Sequence, residues 1–207
     1  LTVRKFDNAE IYYDVYNSAL MMDTTNSVQI YHKSKLVPGV EKMPYPMIFG
    51  FLEKFAIELG GTSGSLGVQP YRTNFVTRDG IQVAPAICYE SIYGDFMAGY
   101  IRNGAQFLAI ITNDGWWGNT PGYRQHMNYA RLRAVEFRKS IVRSANTGVS
   151  CFINQRGDVL ERTDWWKADA MRSTVYRNDI VTFYAQFGDY LGFVAAFMSV
   201  SFFVFLL

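Results

Sequence analysis

Val83-Ala84-Pro85-Ala86-Ile87-Cys88-Tyr89-Glu90-Ser91 is the stretch on which the fold turns. An apolar run that closes on polar residues and leads into a helical pattern is how an α/β sheet delivers a side chain to its C-terminal edge. A thiol at such an edge has two readings. It is a core residue, because free cysteine is among the most buried residue types, or it is a nucleophile on display. Spacing leaves both open, since catalytic partners are adjacent in space and not in sequence.

On the N-terminal side of this strand, Asp79-Gly80 is a hairpin signal. On its C-terminal side, residues 92–103 have helical spacing, and Gly104 is the expected stop. Residues 107–112 are almost wholly apolar, which predicts a strand buried on both faces. Asn113-Asp114-Gly115-Trp116-Trp117-Gly118 follows as a loop, and residues 123–138 form a long helix with Met127, Ala130, Ala134 and Phe137 on one side. Short strands are expected at 141–144, 149–154 and 159–162. Further upstream, residues 11–22 and 27–32 read as a hairpin that carries Lys33 out of its second arm. Pro38, Pro44 and Pro46 keep Glu41 in an irregular loop; a helix over 47–59 and a Gly/Ser/Thr-rich segment over 60–67 follow. Strands alternating with helices indicate an α/β layered domain.

Composition narrows the function. Twenty basic against 18 acidic residues leave a formal charge of +2, with no Lys/Arg block to support nucleic-acid binding. Aromatic residues make up 16% of the chain, which suits an amphipathic or membrane-adjacent surface. Cys88 and Cys151 have neither metal-ligand spacing nor a disulfide framework, so no metal is expected. Residues 190–207 contain 18 residues without a charge, five of them phenylalanine, which meets the length criterion for a transmembrane helix. The chain opens without an initiator methionine and closes without a polar stop, and is expected to be a fragment of a longer protein.

For Cys88 to act, its thiol must become a thiolate, which needs a nearby base or positive charge. Lys33, Glu41 and Glu90 are the candidates. A lysine would hold the oxyanion of a tetrahedral intermediate and a carboxylate would take the thiol proton. Against this, most lysines are solvated surface residues, and Glu90 could be a structural carboxylate that orients a neighbour. Alternation points His32 to the face opposite Lys33, and His126, in the first turns of its helix, reads as a packing or hydrogen-bonding residue, so a Cys-His pair is the weaker mechanism. Trp116 and Trp117 suit a lid over an apolar substrate; Trp165 and Trp166 suit either packing or a membrane interface.

Three motifs together resemble the nitrilase (carbon–nitrogen hydrolase) superfamily: Tyr31-His32-Lys33-Ser34-Lys35-Leu36-Val37-Pro38 with Glu41, Ala86-Ile87-Cys88-Tyr89-Glu90, and the loop from Asn113 to Gly118. Gln125-His126, Arg131, Arg133-Ala134, Glu136 and the run Arg143-Ser144-Ala145-Asn146-Thr147-Gly148 resemble the branch that N-acylates lipoproteins at the bacterial inner membrane. The resemblance implies an αββα sandwich over residues 1–181, incomplete at its N-terminus, then a connector and part of a transmembrane helix over 182–207. It implies Cys88 as acyl-accepting nucleophile, Lys33 as catalytic lysine, Glu41 and Glu90 as active-site glutamates, and Tyr89, Asn113 and Trp116 in supporting or substrate-binding places. It also implies ping-pong transfer through a cysteine thioester, without a cofactor, on the periplasmic side of the membrane. The donor would be a phospholipid and the acceptor a diacylglyceryl apolipoprotein. The family's general-base glutamate sits in a Trp-Pro-Glu type segment; Asp7-Asn8-Ala9-Glu10 does not match one, so the base is expected upstream of Leu1. Pro38-Gly39-Val40-Glu41 also departs from the family's usual Pro-Phe-Gly-Glu. Two alternatives stand beside this reading. A nitrilase-type amidase acting on a small amide has no use for the apolar tail, and an inactive membrane-anchored binding domain has no use for Lys33 and Cys88.

Overall fold

A computed structural model describes residues 2–6, 9–25, 27–38, 41–42 and 66–206. Its centre is a six-stranded sheet in the order β10-β9-β8-β7-β6-β5, formed by β5 (Phe75–Val76), β6 (Gln82–Ile87), β7 (Phe107–Thr112), β8 (Ile141–Ala145), β9 (Cys151–Ile153) and β10 (Val159–Arg162). The three middle strands are parallel: Val83 pairs with Phe107 and Ile87 with Ile111, while Leu108 pairs with Ile141 and Thr112 with Ala145. Parallel neighbours need crossovers. Helix α1 (Gly94–Arg102) makes the first and α2 (Gly122–Phe137) the second, and the two pack on each other and on the sheet. The outer strands β5, β9 and β10 are antiparallel additions.

Pro85 lies inside β6, where a missing N–H would break a central ladder. It is tolerated because β5 pairs only with Gln82 and Val83, so from Ala84 onward β6 is an edge on that side among the described residues. Along β7 the inward residues Leu108, Ile110 and Thr112 are buried, whereas Ile111 is 45% exposed. The strand therefore alternates, and the expected burial of both faces does not hold along its whole length.

Two hairpins precede the sheet. β1 (Thr2–Phe6) pairs with β2 (Ala9–Tyr13), and β3 (Ser18–Met22) with β4 (Val28–His32). The single arm expected over 11–22 is split, because the carbonyls of Val15 and Asn17 accept from Gly67 and Lys33 instead of a neighbouring strand. The second hairpin matches the expectation, packs against β6, and contributes Ala19 and Tyr31 to the core. The helix expected over 47–59, and all but the last two residues of the Gly/Ser/Thr-rich segment, lie outside the described residues.

Helix α3 (Phe183–Phe187) docks on α1 and α2. Ala185 is fully buried, Arg102 Nη1 donates to its carbonyl at 2.6 Å, and Thr182 Oγ1 donates to Glu136 O at 2.6 Å. The tail forms helix α4 (Tyr190–Leu206), 17 residues long and exposed on every side. It rises about 25 Å, some 5 Å less than a bilayer's hydrocarbon thickness. No helix among the described residues is long and apolar enough to cross a membrane.

Candidate active site

Cys88 stands directly after the last residue of β6, half-buried, with φ of 54°. A β-strand that must stop and present its next side chain at the sheet edge needs a sharp reversal, and the left-handed region provides it at a cost of order 1–3 kcal/mol. The turn continues as a 3₁₀ helix over Cys88–Ile92, which delays α1 to Gly94, two residues later than the helical spacing suggests.

Glu90 fastens this turn to the lysine motif. It has no exposed surface. Its Oε1 accepts from Tyr31 Oη at 2.7 Å, Ser34 N at 2.6 Å and Lys35 N at 3.1 Å, while Oε2 accepts from Ile87 N at 2.8 Å. One carboxylate thus takes donors from both sides of the site, from the residues after Lys33 and from the residue before Cys88. Burial pushes the Glu90 carboxyl above its ordinary range, and the four donors oppose that shift by favouring the charged form. Of the two sequence readings of Glu90, orienting a neighbour is the one its contacts describe.

Lys33 and Glu41 form a buried pair. Nζ lies 2.9 Å from Oε1 and 2.7 Å from Oε2, and Lys33 has no exposed surface. Glu41 is further held by Asn17 Nδ2 at 3.0 Å and Val37 N at 2.8 Å, so its lone pairs are taken by four donor contacts. Such a pair is costly to break from one side. Glu41→Ala is expected to lower unfolding free energy by about 3–5 kcal/mol by leaving an unpaired buried ammonium. A Lys33→Met, Glu41→Leu double variant should recover much of that loss in denaturant melts, and a double variant as unstable as Glu41→Ala would show that packing, not charge, sets the cost.

Beside the Cys88 turn lies a network that the reading of Asn113 missed. Asn113 is exposed and ties its own loop, accepting from Gly115 N at 3.1 Å and Thr147 Oγ1 at 3.3 Å. Asp114 is fully buried: Oδ1 accepts from Thr112 Oγ1 at 3.1 Å and pairs with His126 Nδ1 at 2.9 Å, and Oδ2 accepts from Arg143 Nη2 at 2.7 Å. His126 Nε2 in turn lies 3.2 Å from the carbonyl of Cys88 and 3.2 Å from Ser91 Oγ, which donates to the same carbonyl at 2.9 Å. The chain Arg143–Asp114–His126 therefore ends on the backbone of Cys88. A signal for it existed in the sequence: the inward alternation of Leu108, Ile110 and Thr112 continues to Asp114.

Burial alone would raise the Asp114 carboxyl, but the His126 hydrogen bond and the Arg143 guanidinium together hold it below its ordinary value of 3.8. The native state then binds this proton more weakly than the unfolded chain. Asp114 therefore contributes stability that is present above pH 3.8 and is lost as pH falls through its lower folded value. Unfolding midpoints measured across the acid range should show this loss, and it should be absent in Asp114→Asn. By contrast, burial pushes the Cys151 thiol up to about 11, as expected of an inert core cysteine.

The tryptophan loop divides. Trp116 and Trp117 form a short 3₁₀ turn with Gly115 and are 44% and 41% exposed. Trp117, and not Trp116, lines a cavity of about 200 Å³ together with Tyr89, Ile92, Gln125, His126 and Tyr129. Tyr89 is set by an edge contact with Tyr93, ring centroids 5.6 Å apart. Trp165 stacks on Tyr123 at 5.3 Å, which answers the packing reading for that residue. His32 packs on Tyr16 and bonds Ser18, away from Lys33, as alternation predicts. Among the described residues no cluster of His, Cys, Asp or Glu could hold a metal ion.

Residues 2–183 match the family model described as carbon-nitrogen hydrolase. The chain is 37% identical over 181 residues to the apolipoprotein N-acyltransferase of Chlorobaculum tepidum, covering 86% of this chain and 34% of that protein. Against the apolipoprotein N-acyltransferase of Nitrosomonas europaea it is 34% identical over 180 residues, covering 86% and 35%. The chain thus spans about a third of the length of the curated relatives it matches. Among solved structures, a carbon-nitrogen hydrolase from Helicobacter pylori G27 superposes with TM-score 0.55 at 15% identity, over 74% of this chain and 54% of that one. An amidase from Nesterenkonia sp. AN1, with acrylamide added at its active site cysteine, gives 0.53 at 17% identity, over 83% and 59%. Those two likenesses speak for the fold alone.

Proposed function

The chain belongs to the carbon–nitrogen hydrolase family, and on that premise we propose that it carries an acyltransferase site that moves a fatty acyl group from a phospholipid to the N-terminal amine of a diacylglyceryl-cysteine apolipoprotein. The observation that carries this reading is the Glu90 clamp, which joins the lysine motif to the cysteine turn through Ser34, Lys35 and Ile87. The likeness to apolipoprotein N-acyltransferases supports the choice of substrates.

Chemically, the Cys88 thiol gives its proton to a carboxylate base and Sγ attacks the ester carbonyl of the donor. A C–S bond forms, the ester C–O bond breaks, and the lysophospholipid leaves as an alcohol with the proton returned to it. The acceptor amine then attacks the thioester; a C–N bond forms, the C–S bond breaks, and the thiol is restored. Lys33 Nζ carries three protons, two of them engaged by Glu41. The third serves the oxyanion of each tetrahedral intermediate. Glu41 holds Lys33 in place, and the aromatic cavity beside Tyr89 receives the first part of the acyl chain. Trp116, exposed at the rim, and Asn113, which shapes the loop, take supporting parts.

Helix α4 is apolar on every side and unpacked, a state that suits lipid surroundings better than water. It would hold the site at the periplasmic face of the bacterial inner membrane, where both substrates are anchored. We read the catalytic unit as running through Phe187, past the expected boundary at 181, a reading that the docking of α3 on α1 and α2 supports. The test supplies the protein with a phospholipid labelled in its acyl chain and a diacylglyceryl-cysteine peptide. The peptide should gain one acyl group by mass. Release of the label only as free fatty acid, or hydrolysis of a small amide in preference to acyl transfer, would overturn the reading.

A further inference from the structure

A second, separate cavity lies against α2 and β10. Arg124, Asn128 and Arg131 recur at i, i+4 and i+7, which places them along one side of α2. Arg162, at the end of β10, completes the wall of a cavity of about 540 Å³ that all four residues line together with the stacked pair Tyr123 and Trp165. Three solvated surface arginines would be the ordinary explanation, and two features speak against it. First, two of the guanidiniums are anchored. Arg131 donates from Nε to Gly157 O at 2.9 Å and from Nη1 to Asn128 Oδ1 at 3.3 Å. Arg124 donates from Nε to Tyr123 Oη at 3.0 Å, its guanidinium 5.4 Å from that ring. A guanidinium has about five N–H donors, so most of them remain for a ligand in both cases. Second, none of the three arginines takes part in an ion pair among the described residues. The one acid lining the cavity, Asp164, is drawn to Lys167 at 3.5 Å. In a chain whose net charge is only +2, this is a local concentration of positive charge over an aromatic wall, three guanidiniums against one lining carboxylate, with Asp158 near enough to Arg131 to feel its charge.

We propose that this cavity binds a phosphate ester, its oxygens held by Arg124, Arg131 and Arg162 and its organic part laid against Tyr123 and Trp165. Guanidinium forks match phosphate oxygens two at a time, and pre-anchored ones lose little freedom on binding. The cavity includes no residue of the Cys88 turn, so the proposal stands apart from the acyl-transfer reading.

Calorimetric titration of the protein tests it with two probes: glycerol 1-phosphate, and dihexanoyl phosphatidylglycerol kept below its micelle concentration. Saturable binding is expected. Arg131→Gln and Arg162→Gln should each weaken it about tenfold or more, the scale of a charge-assisted hydrogen bond, while the exposed Arg177→Gln and the nucleophile variant Cys88→Ala leave it unchanged. A lipid bound at least tenfold tighter than glycerol 1-phosphate, with the same arginine dependence, identifies a lipid headgroup as the ligand; equal affinities identify a soluble phosphate ester. Either result supports the site. Absence of saturable binding by both probes overturns it, as does affinity unchanged in Arg162→Gln or lost equally in Arg177→Gln. Arg162 makes the cleaner variant, because Arg131 also bonds the Gly157 turn and its loss could disturb the fold.

Discussion

Cys88→Ala is expected to abolish the covalent acyl-enzyme and to lower acyl transfer by three orders of magnitude or more, the scale on which loss of a nucleophile acts (on the order of 10³–10⁶). The side chain is half-buried at a sheet edge, so its truncation removes little packing, and unfolding midpoints should stay near those of the parent. That separation is the value of the variant, because chemistry is lost while the fold is kept. A hydroxylamine-sensitive adduct on the parent, detected by intact mass and absent from the variant, would report the thioester. Acyl transfer retained by Cys88→Ala would sink the mechanism. Cys151 provides the internal control: it is fully buried, its thiol is pushed up to about 11, and it should take no acyl label.

Asp114→Ala is expected to destabilise the protein by about 3–5 kcal/mol, the cost of leaving a buried charge without its partner. Here that charge is Arg143, whose side chain has no exposed surface and whose nearest carboxylate is Asp114 at 2.7 Å. The same change releases His126, and with it one of the two side chains that bond the carbonyl of Cys88. Activity should therefore fall further than stability requires at a temperature where the variant is folded. Asp114→Asn keeps the shape and one acceptor and should lie between parent and Ala. Equal melting midpoints for the parent and Asp114→Ala in urea would show that Arg143 finds another partner, and the network would lose its claimed role. Gly148→Ala probes the same place from the opposite side. A Cβ at Gly148 would run into the Asp114 carboxylate, so this substitution should cost about 1–3 kcal/mol by crowding.

Much of the sheet could be read along the chain, and the reason is local. β7 and β10 begin and end at the residues expected of them, 107–112 and 159–162, and α2 departs from the expected 123–138 by one residue at each end. Runs of this kind carry their own period, and burial of one face enforces it. The expected single arm over 11–22 failed because backbone carbonyls at Val15 and Asn17 were claimed by distant residues, Gly67 and Lys33, which no local period announces. The apolar tail was legible as an unbroken uncharged run. Its helix is nonetheless 17 residues long, and no described helix reaches membrane-crossing length.

By itself the sequence placed a strand just ahead of Cys88, carried Lys33 out of the second arm of a hairpin, put Glu41 in an irregular loop, and lent the chain its resemblance to the nitrilase superfamily, because hydrophobic period and short motifs are properties of neighbouring residues. Tertiary structure decided what surrounds the thiol. Glu90, separated by 56 residues from Ser34, draws the lysine motif to the cysteine turn, and Asp114 joins Arg143 and His126 across 29 and 12 residues. Contacts over such separations form only where the fold removes water from the groups involved, since a buried carboxylate must find donors from whatever segment packs against it.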